Sequence, residues 1–293
     1  MFVSVLMLTY NHEAYVAKAI ESVLQQRGNY ELIIGDDAST DNTPAIIKKY
    51  QRQYPNIIVP VLREKNIGAT RNFIDIYNRA RAIYVAHLEG DDFWTDRNKL
   101  IKQAEFLERN PEFVISFTDY VELDENSGLY TTKNNMLEKE VFDTKDIIEK
   151  NFIPTLTCVY SKVIRKLPED IADIKTSDWA LHILNSLHGK IKYHRNWITG
   201  VYRIHKNAMW SQLNELDKIY SRIQLYEFLA KNLDRKFYPQ IKKKLITNYY
   251  KLASLYIKNN NIQEAKRIKN KLEEKKLIFN SEYIKLLIKL NHK

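Results

Sequence analysis

Two places in this chain gather acidic side chains where chemistry could be done. In YELIIGDDASTDNT (30–43) an apolar run ends on Asp36 and Asp37. In HLEGDDFW (87–94) another ends on Glu89, Asp91 and Asp92. Adjacent carboxylates repel, so a strand end that carries two of them calls for a cation or other strong stabiliser. Mg²⁺ and Mn²⁺ suit oxygen ligands, take one or two protein carboxylates, and leave the remaining positions to water and substrate phosphates. Several acids with few basic neighbours therefore predict a metal–diphosphate complex rather than a bare anion.

The elements that must position these acids read as alternating strands and helices. FVSVLMLTY (2–10), ELIIG (31–35), IIVPVL (57–62) and AIYVAHL (82–88) are short buried strands. Pro60 marks the third as an edge strand. Helical spacing covers 13–26, 43–54 and 72–82, with Pro44 in the first turn of the second helix. This order predicts an α/β layer with a mostly parallel sheet. In such sheets ligands bind beyond the carboxyl ends of the strands. Those ends carry Thr9-Tyr10-Asn11, Asp36-Asp37 and Glu89-Gly90-Asp91-Asp92, which defines one polar rim. Further on, the expectation is a helix over 99–109 and a strand over 113–123. Residues 124–150 read as polar and irregular, with helix near 146–149. A strand over 155–161, a helix over 179–187 and a strand over 197–205 complete this part. His12, His87 and His182 read as structural, Trp94 and Trp179 as core or pocket wall, and Cys158 as a small buried hydrophobe.

Charge divides the chain. From Leu213 to Lys293 there are 19 Lys and Arg against 8 Asp and Glu, a net +11; the whole chain is +10, so the remainder is −1. Four apolar stripes at helical spacing run through this basic stretch, beginning at Leu216, Ile241, Ile262 and Tyr283, and predict a small helical bundle. The expected boundaries are 1–211 and 212–293. The basic tail suits a solvated bundle or an anionic membrane surface, with KKK (242–244) and Lys266 to Lys276 as contacts; nucleic acid is disfavoured, and a dimer interface is open. One cysteine excludes an internal disulfide and a Cys-rich zinc site, and fits a reducing, cytoplasmic setting. The start, MFVSVLMLTYNHEAYV, is apolar without a basic leader or cleavage site and too short to cross a bilayer.

Taken together and in order, VSVLMLTYN, IIGDDASTDNT, NIGATRN and LEGDDFW resemble the nucleotide-sugar domain of the family 2 glycosyltransferases, over roughly residues 1–211. The resemblance implies the GT-A (Rossmann-like) fold. It also implies a metal-dependent, inverting transfer of a sugar from a nucleotide-diphosphate donor, UDP by default, using Mn²⁺ or Mg²⁺. By the same resemblance Thr9, Asn11 and Asp37 line the nucleoside pocket, with Asp36 beside them as a structural acceptor. Asn66 and Arg71 lie near the nucleotide or sugar. Asp91 coordinates the metal, and Asp92 faces the donor sugar or supports its loop. Glu89 stands where the family usually has Asp. TSDWAL (176–181) resembles the family's segment that carries the catalytic base, which makes Asp178 that base, with helix capping as the plain alternative. In YRIH (202–205), His205 is a metal ligand or an ordinary half-buried histidine, and Arg203 a phosphate contact. The acceptor is a hydroxyl of a glycan or lipid-linked glycan, in bacterial surface polysaccharide assembly, with the enzyme peripheral on the inner membrane face. The alternative is a non-catalytic sugar-nucleotide-binding or scaffold protein. A nucleotidyltransferase is disfavoured because TYNHEAY lacks a glycine, and a dehydrogenase because no G-x-G-x-x-G is present.

Overall fold

A computed structural model describes residues 2–133, 137–206, 213–278 and 285. The chain divides into two compact units: Met1–Ala172 with Leu181–Ala208, and Asp173–Ala180 with Met209–Lys293.

The first unit is built on one sheet. β1 (Phe2–Thr9), β2 (Asn29–Asp36), β3 (Ile58–Leu62) and β4 (Tyr84–Glu89) are parallel and lie in the order β3-β2-β1-β4. Helices α1 (Val16–Leu24), α2 (Thr43–Gln53) and α3 (Ala69–Arg79) connect them. β1 is buried from Val3 to Thr9 because apolar layers cover both of its faces, which explains its unbroken hydrophobic run. β3 is the edge strand, and Pro60 is tolerated there because the edge needs no donor on that side. Val5, Met7, Leu32, Ile34, Ile20, Val23 and Ile47 anchor the core beneath this half.

The far half of the sheet is mixed. After the short β5 (Phe93–Trp94) come α4 (Lys99–Arg109), β6 (Phe113–Asp124), β7 (Leu129–Lys133), β8 (Val141–Phe142), α5 (Thr144–Glu149), β9 (Val159–Ser161), α6 (Ser177–Ser186) and β10 (Lys190–Ile204). β10 runs parallel to β6, while β9 is antiparallel to both β4 and β6. Three expectations need correction here. The polar stretch 124–150 holds the β6–β7 hairpin and β8, whose pairing comes from neighbours rather than from their own weak pattern. Only 159–161 of the stretch 155–161 is strand; Thr155–Thr157 forms a 3₁₀ turn. The last strand begins at Lys190 instead of 197, with Asn196 at φ 60° in an irregular stretch that hides the strand's continuity in the sequence.

Among the described residues the second unit holds three further helices, α7 (Glu215–Asn232), α8 (Tyr238–Lys258) and α9 (Ile262–Glu274). Ile219, Ile223, Tyr226, Leu245, Tyr249, Leu252, Ile268 and Leu272 supply its buried stripes. The stripe beginning at Tyr283 lies outside the described residues. Trp179 is buried in this unit, edge-on to Tyr226 at 6.0 Å. Among the described residues no helix is long and apolar enough to cross a membrane.

Candidate active site

The carboxyl ends of β1, β2 and β4 stand side by side, so the three loops that follow them share one rim. The β1 and β2 loops are stitched together by side chain–backbone hydrogen bonds. Asn11, at φ 54°, accepts from the Thr40 N–H at 2.8 Å, and its own N–H donates to Ser39 Oγ at 2.8 Å. His12 N–H donates to Thr43 Oγ1 at 2.9 Å, and Glu13 N–H to Asp41 Oδ2 at 3.0 Å. Asp41 also caps the start of α2 by accepting from the Thr43 N–H at 2.9 Å.

The two acids of the first pair are both engaged. Asp36 is buried and accepts from Ser39 Oγ at 2.5 Å and Ser39 N–H at 3.1 Å. Burial still pushes its carboxyl above the usual range. Asp37 accepts from Ile67 N–H at 2.8 Å and Gly68 N–H at 2.9 Å, one on each oxygen. It therefore ties the NIGATRN loop to the rim. Asn66 closes that loop by accepting from Gly68 N–H at 3.1 Å, and Arg71 is exposed in the first turn of α3.

The second pair is asymmetric. Asp92 is buried and accepts from the Arg203 N–H at 2.8 Å, which pins β10 to the loop after β4. Burial, and then the charge of Asp91, push Asp92 well above the usual carboxylate range. Asp91 instead faces two imidazoles: His205 Nε2 lies 3.1 Å from its Oδ2, and His12 Nε2 lies 3.6 Å away. Burial works against its ionisation, but the His205 hydrogen bond and the charge of His12 hold its carboxyl below the usual range. Burial lowers His12, favouring the neutral imidazole. The Glu89 carbonyl accepts from Asp92 N–H at 3.1 Å. Thr9 is buried beneath this loop, its hydroxyl without a hydrogen-bond partner. A side chain at Gly90 would put its Cβ 2.9 Å from Thr9 Oγ1 and 3.0 Å from His12 Nδ1, so only glycine lets the loop close over both.

The sequence reads His12 as structural; the structure places its Nε2 3.6 Å from Asp91 Oδ2. The signal was its place two residues beyond Tyr10 at a strand's carboxyl end, the position that also drew attention to Asn11. Tyr15 was missed as well; its ring lies 4.7 Å from that of His205. Arg203 lies over the Tyr15 and Phe93 rings and pairs with Glu125. Asp178 belongs to the second unit, in the first turn of α6.

Among the described residues no three His, Cys, Asp or Glu side chains form a ready-made metal cage. The donor chemistry nevertheless fits a hard divalent cation that takes few protein ligands. Asp91 Oδ2 and His205 Nε2 meet at 3.1 Å on this rim and are the atoms that would hold it.

Residues 4–167, more than half of the chain, match the family model described as glycosyl transferase family 2. The chain belongs to that family. The uncharacterized protein Rv1520 of Mycobacterium tuberculosis is 36% identical over 212 residues, covering 71% of this chain and 60% of that protein. This family 2 chain thus spans 60% of that relative's length. Its fold is that of TarS 1-349 from S. aureus, solved with UDP-GlcNAc (TM-score 0.59, 15% identity, 94% of this chain, 92% of that one). It is equally that of the mannosyltransferase PcManGT from Pyrobaculum calidifontis, solved with GDP-Man and Mn²⁺ (TM-score 0.59, 14% identity, 98% and 78%).

Proposed function

We infer that this chain transfers a sugar from a nucleoside-diphosphate donor to a hydroxyl of a glycan or lipid-linked glycan. The observation that carries the reading is Asp91 set between His205 and His12 on the carboxyl rim of a parallel sheet, in a chain of family 2. Asp91 and His205 are the residues that would hold Mn²⁺ or Mg²⁺; when bound, such an ion neutralises charge developing on a departing diphosphate. Mn²⁺ in the PcManGT structure favours this assignment. UDP is the default nucleotide, and the UDP-GlcNAc and GDP-Man complexes of the two fold neighbours make both bases worth testing.

The chain's own residues do the rest. Asp37 and Asn66 hold the 66–68 loop and Asn11 holds the 39–40 turn, so the pocket floor is fixed before the donor arrives. Thr9 and Asp36 underlie that floor, and Arg71 and Glu89 flank the donor. Asp92 pins the strand that bears Arg203 and leads into His205, and Arg203 contacts phosphate. Asp178 takes the proton from the acceptor hydroxyl as its oxygen bonds to the anomeric carbon. The bond from that carbon to the diphosphate breaks in the same displacement, giving inversion, and the nucleoside diphosphate leaves. The Asp178 role rests on the resemblance of TSDWAL to the family's base segment. Asp178→Asn should therefore spare donor binding and abolish transfer.

The basic helices α8 and α9 suit attachment to an anionic membrane face, where each Lys or Arg contributes on the order of 1 kcal/mol. That setting fits assembly of a bacterial surface polysaccharide on a lipid carrier. The test is a panel of UDP-, GDP- and dTDP-sugars with Mn²⁺ or a chelator, read by thermal shift and nucleotide release. One nucleotide that stabilises the fold only with metal, and is slowly split from its sugar, supports the reading. No response from any donor would sink it.

A further inference from the structure

Arg203 and Glu125 form an ion pair whose halves are held very differently. The Arg203 guanidinium carbon lies 4.8 Å from the centre of the Phe93 ring and 5.2 Å from that of Tyr15. Its side chain is 13% exposed, and its backbone N–H is fixed on Asp92. Its Nη1 donates to Glu125 Oε1, while its buried Nε has no hydrogen-bond partner among the described residues. Glu125 is 29% exposed and sits in the β6–β7 turn, anchored by its backbone N–H to the Ile204 carbonyl at 3.1 Å. Of the two side chains, the arginine is clamped and the glutamate can swing.

Arg203 also lies where a diphosphate would meet the rim. Arg203 lies near the end of β10 and His205 is the first residue beyond it. Tyr15 packs against both. The neighbouring acids, Glu89, Asp91 and Asp92, would repel a diphosphate unless a cation faced it. Arg203 can supply that charge, and Glu125 neutralises it.

Resting on the donor reading above, we propose that Glu125 is an affinity-setting residue that occupies Arg203 in place of the donor's diphosphate. Donor binding exchanges one anion for the other. A diphosphate offers enough oxygens to take the Nη1 and the Nε together, as bidentate acceptors do. Opening the pair costs the same whichever ligand then takes Arg203, so Glu125 holds back most the ligands that gain most from the arginine.

The test is calorimetric titration of UDP, UMP, GDP and GMP, with Mn²⁺, into the wild-type chain, E125Q, R203Q and the double variant. Thermal unfolding is followed alongside. E125Q should bind the preferred diphosphate on the order of tenfold more tightly, the scale of one charge-assisted hydrogen bond released. It should not narrow the diphosphate-to-monophosphate ratio, because the cost removed is common to every ligand that takes Arg203. In the R203Q background the same change should have no effect. E125D, which keeps the charge on a shorter arm, should fall between wild type and E125Q. A wild-type chain that binds none of the four nucleotides, nor dTDP titrated beside them, overturns the donor reading and this inference with it. A wild-type chain that binds, with E125Q gaining nothing or binding more weakly, overturns this inference alone. So does an E125Q chain that no longer folds, since the pair would then be a structural tie.

Discussion

Two pairs of adjacent aspartates end two strands of the same sheet, and they do different work. Asp36 and Asp37 are satisfied by the chain itself: Ser39 serves the first, and the Ile67 and Gly68 N–H groups serve the second. Asp91 and Asp92 are split. Asp92 is buried, raised in pKa and spent on one backbone N–H, while Asp91 faces two histidines. The first pair builds the pocket's frame and the second presents its reactive edge. The motif "two acids after a strand" does not distinguish them. What distinguishes them is which donors the fold brings to each carboxylate.

The largest expected effect comes from the edge. Asp91→Asn should lower transfer by on the order of a hundred- to a thousandfold, the scale of removing one group that stabilises transition-state charge, and should make nucleotide binding indifferent to Mn²⁺. Steady-state nucleotide release, with and without a chelator, checks both. Next comes the frame. Asp37→Asn replaces an acceptor on each side by one acceptor and one amide donor facing an N–H, and should destabilise the first unit by about 2 kcal/mol in denaturant unfolding. Its remaining activity should still respond to Mn²⁺. A stable Asp37→Asn that had lost its metal response would erase the distinction between the pairs. Gly90→Ala tests the link between them, because its methyl group must displace Thr9 or His12; a cost of about 1–3 kcal/mol is expected.

Asp92 gives a pH test. A carboxyl raised on folding favours the protonated native form. Its stability contribution is full below the ordinary value of 3.8 and is lost as pH rises through the higher folded value. Asp92→Asn should therefore stabilise the metal-free chain at pH 7, on the order of 1 kcal/mol, and the gain should vanish toward pH 4. Urea midpoints across that range decide it. The smallest effect is expected at His12, which lies farther from Asp91 than His205 does. His12→Gln should weaken Mn²⁺-dependent binding roughly tenfold, as loss of a supporting group near a metal does.

Much of the frame was legible in the sequence because each strand of the first half is buried on both faces and carries its own apolar signature. The helix over 99–109 and the edge character of Pro60 were equally local. The β6–β7 hairpin and β8 were not: Leu129, Tyr130 and Val141 are exposed, which breaks the apolar pattern, and β8 pairs with the distant β10. In the site, the acids announced themselves by burying charge at strand ends. His12 did not, since a histidine after a strand has many uses and only the fold brings its Nε2 toward Asp91. Glu125 was invisible for the same reason. An arginine among apolar residues, Arg203, implied an anion, but only the β6–β7 turn reveals that the chain carries one of its own.

The most direct test of the division between frame and edge is equilibrium nucleotide binding to Asp91→Asn, titrated with Mn²⁺ and compared with wild type. The account predicts that wild-type affinity rises steeply with Mn²⁺, while the variant binds weakly at every concentration and unfolds at the wild-type midpoint. A variant that kept the wild-type Mn²⁺ response would contradict it.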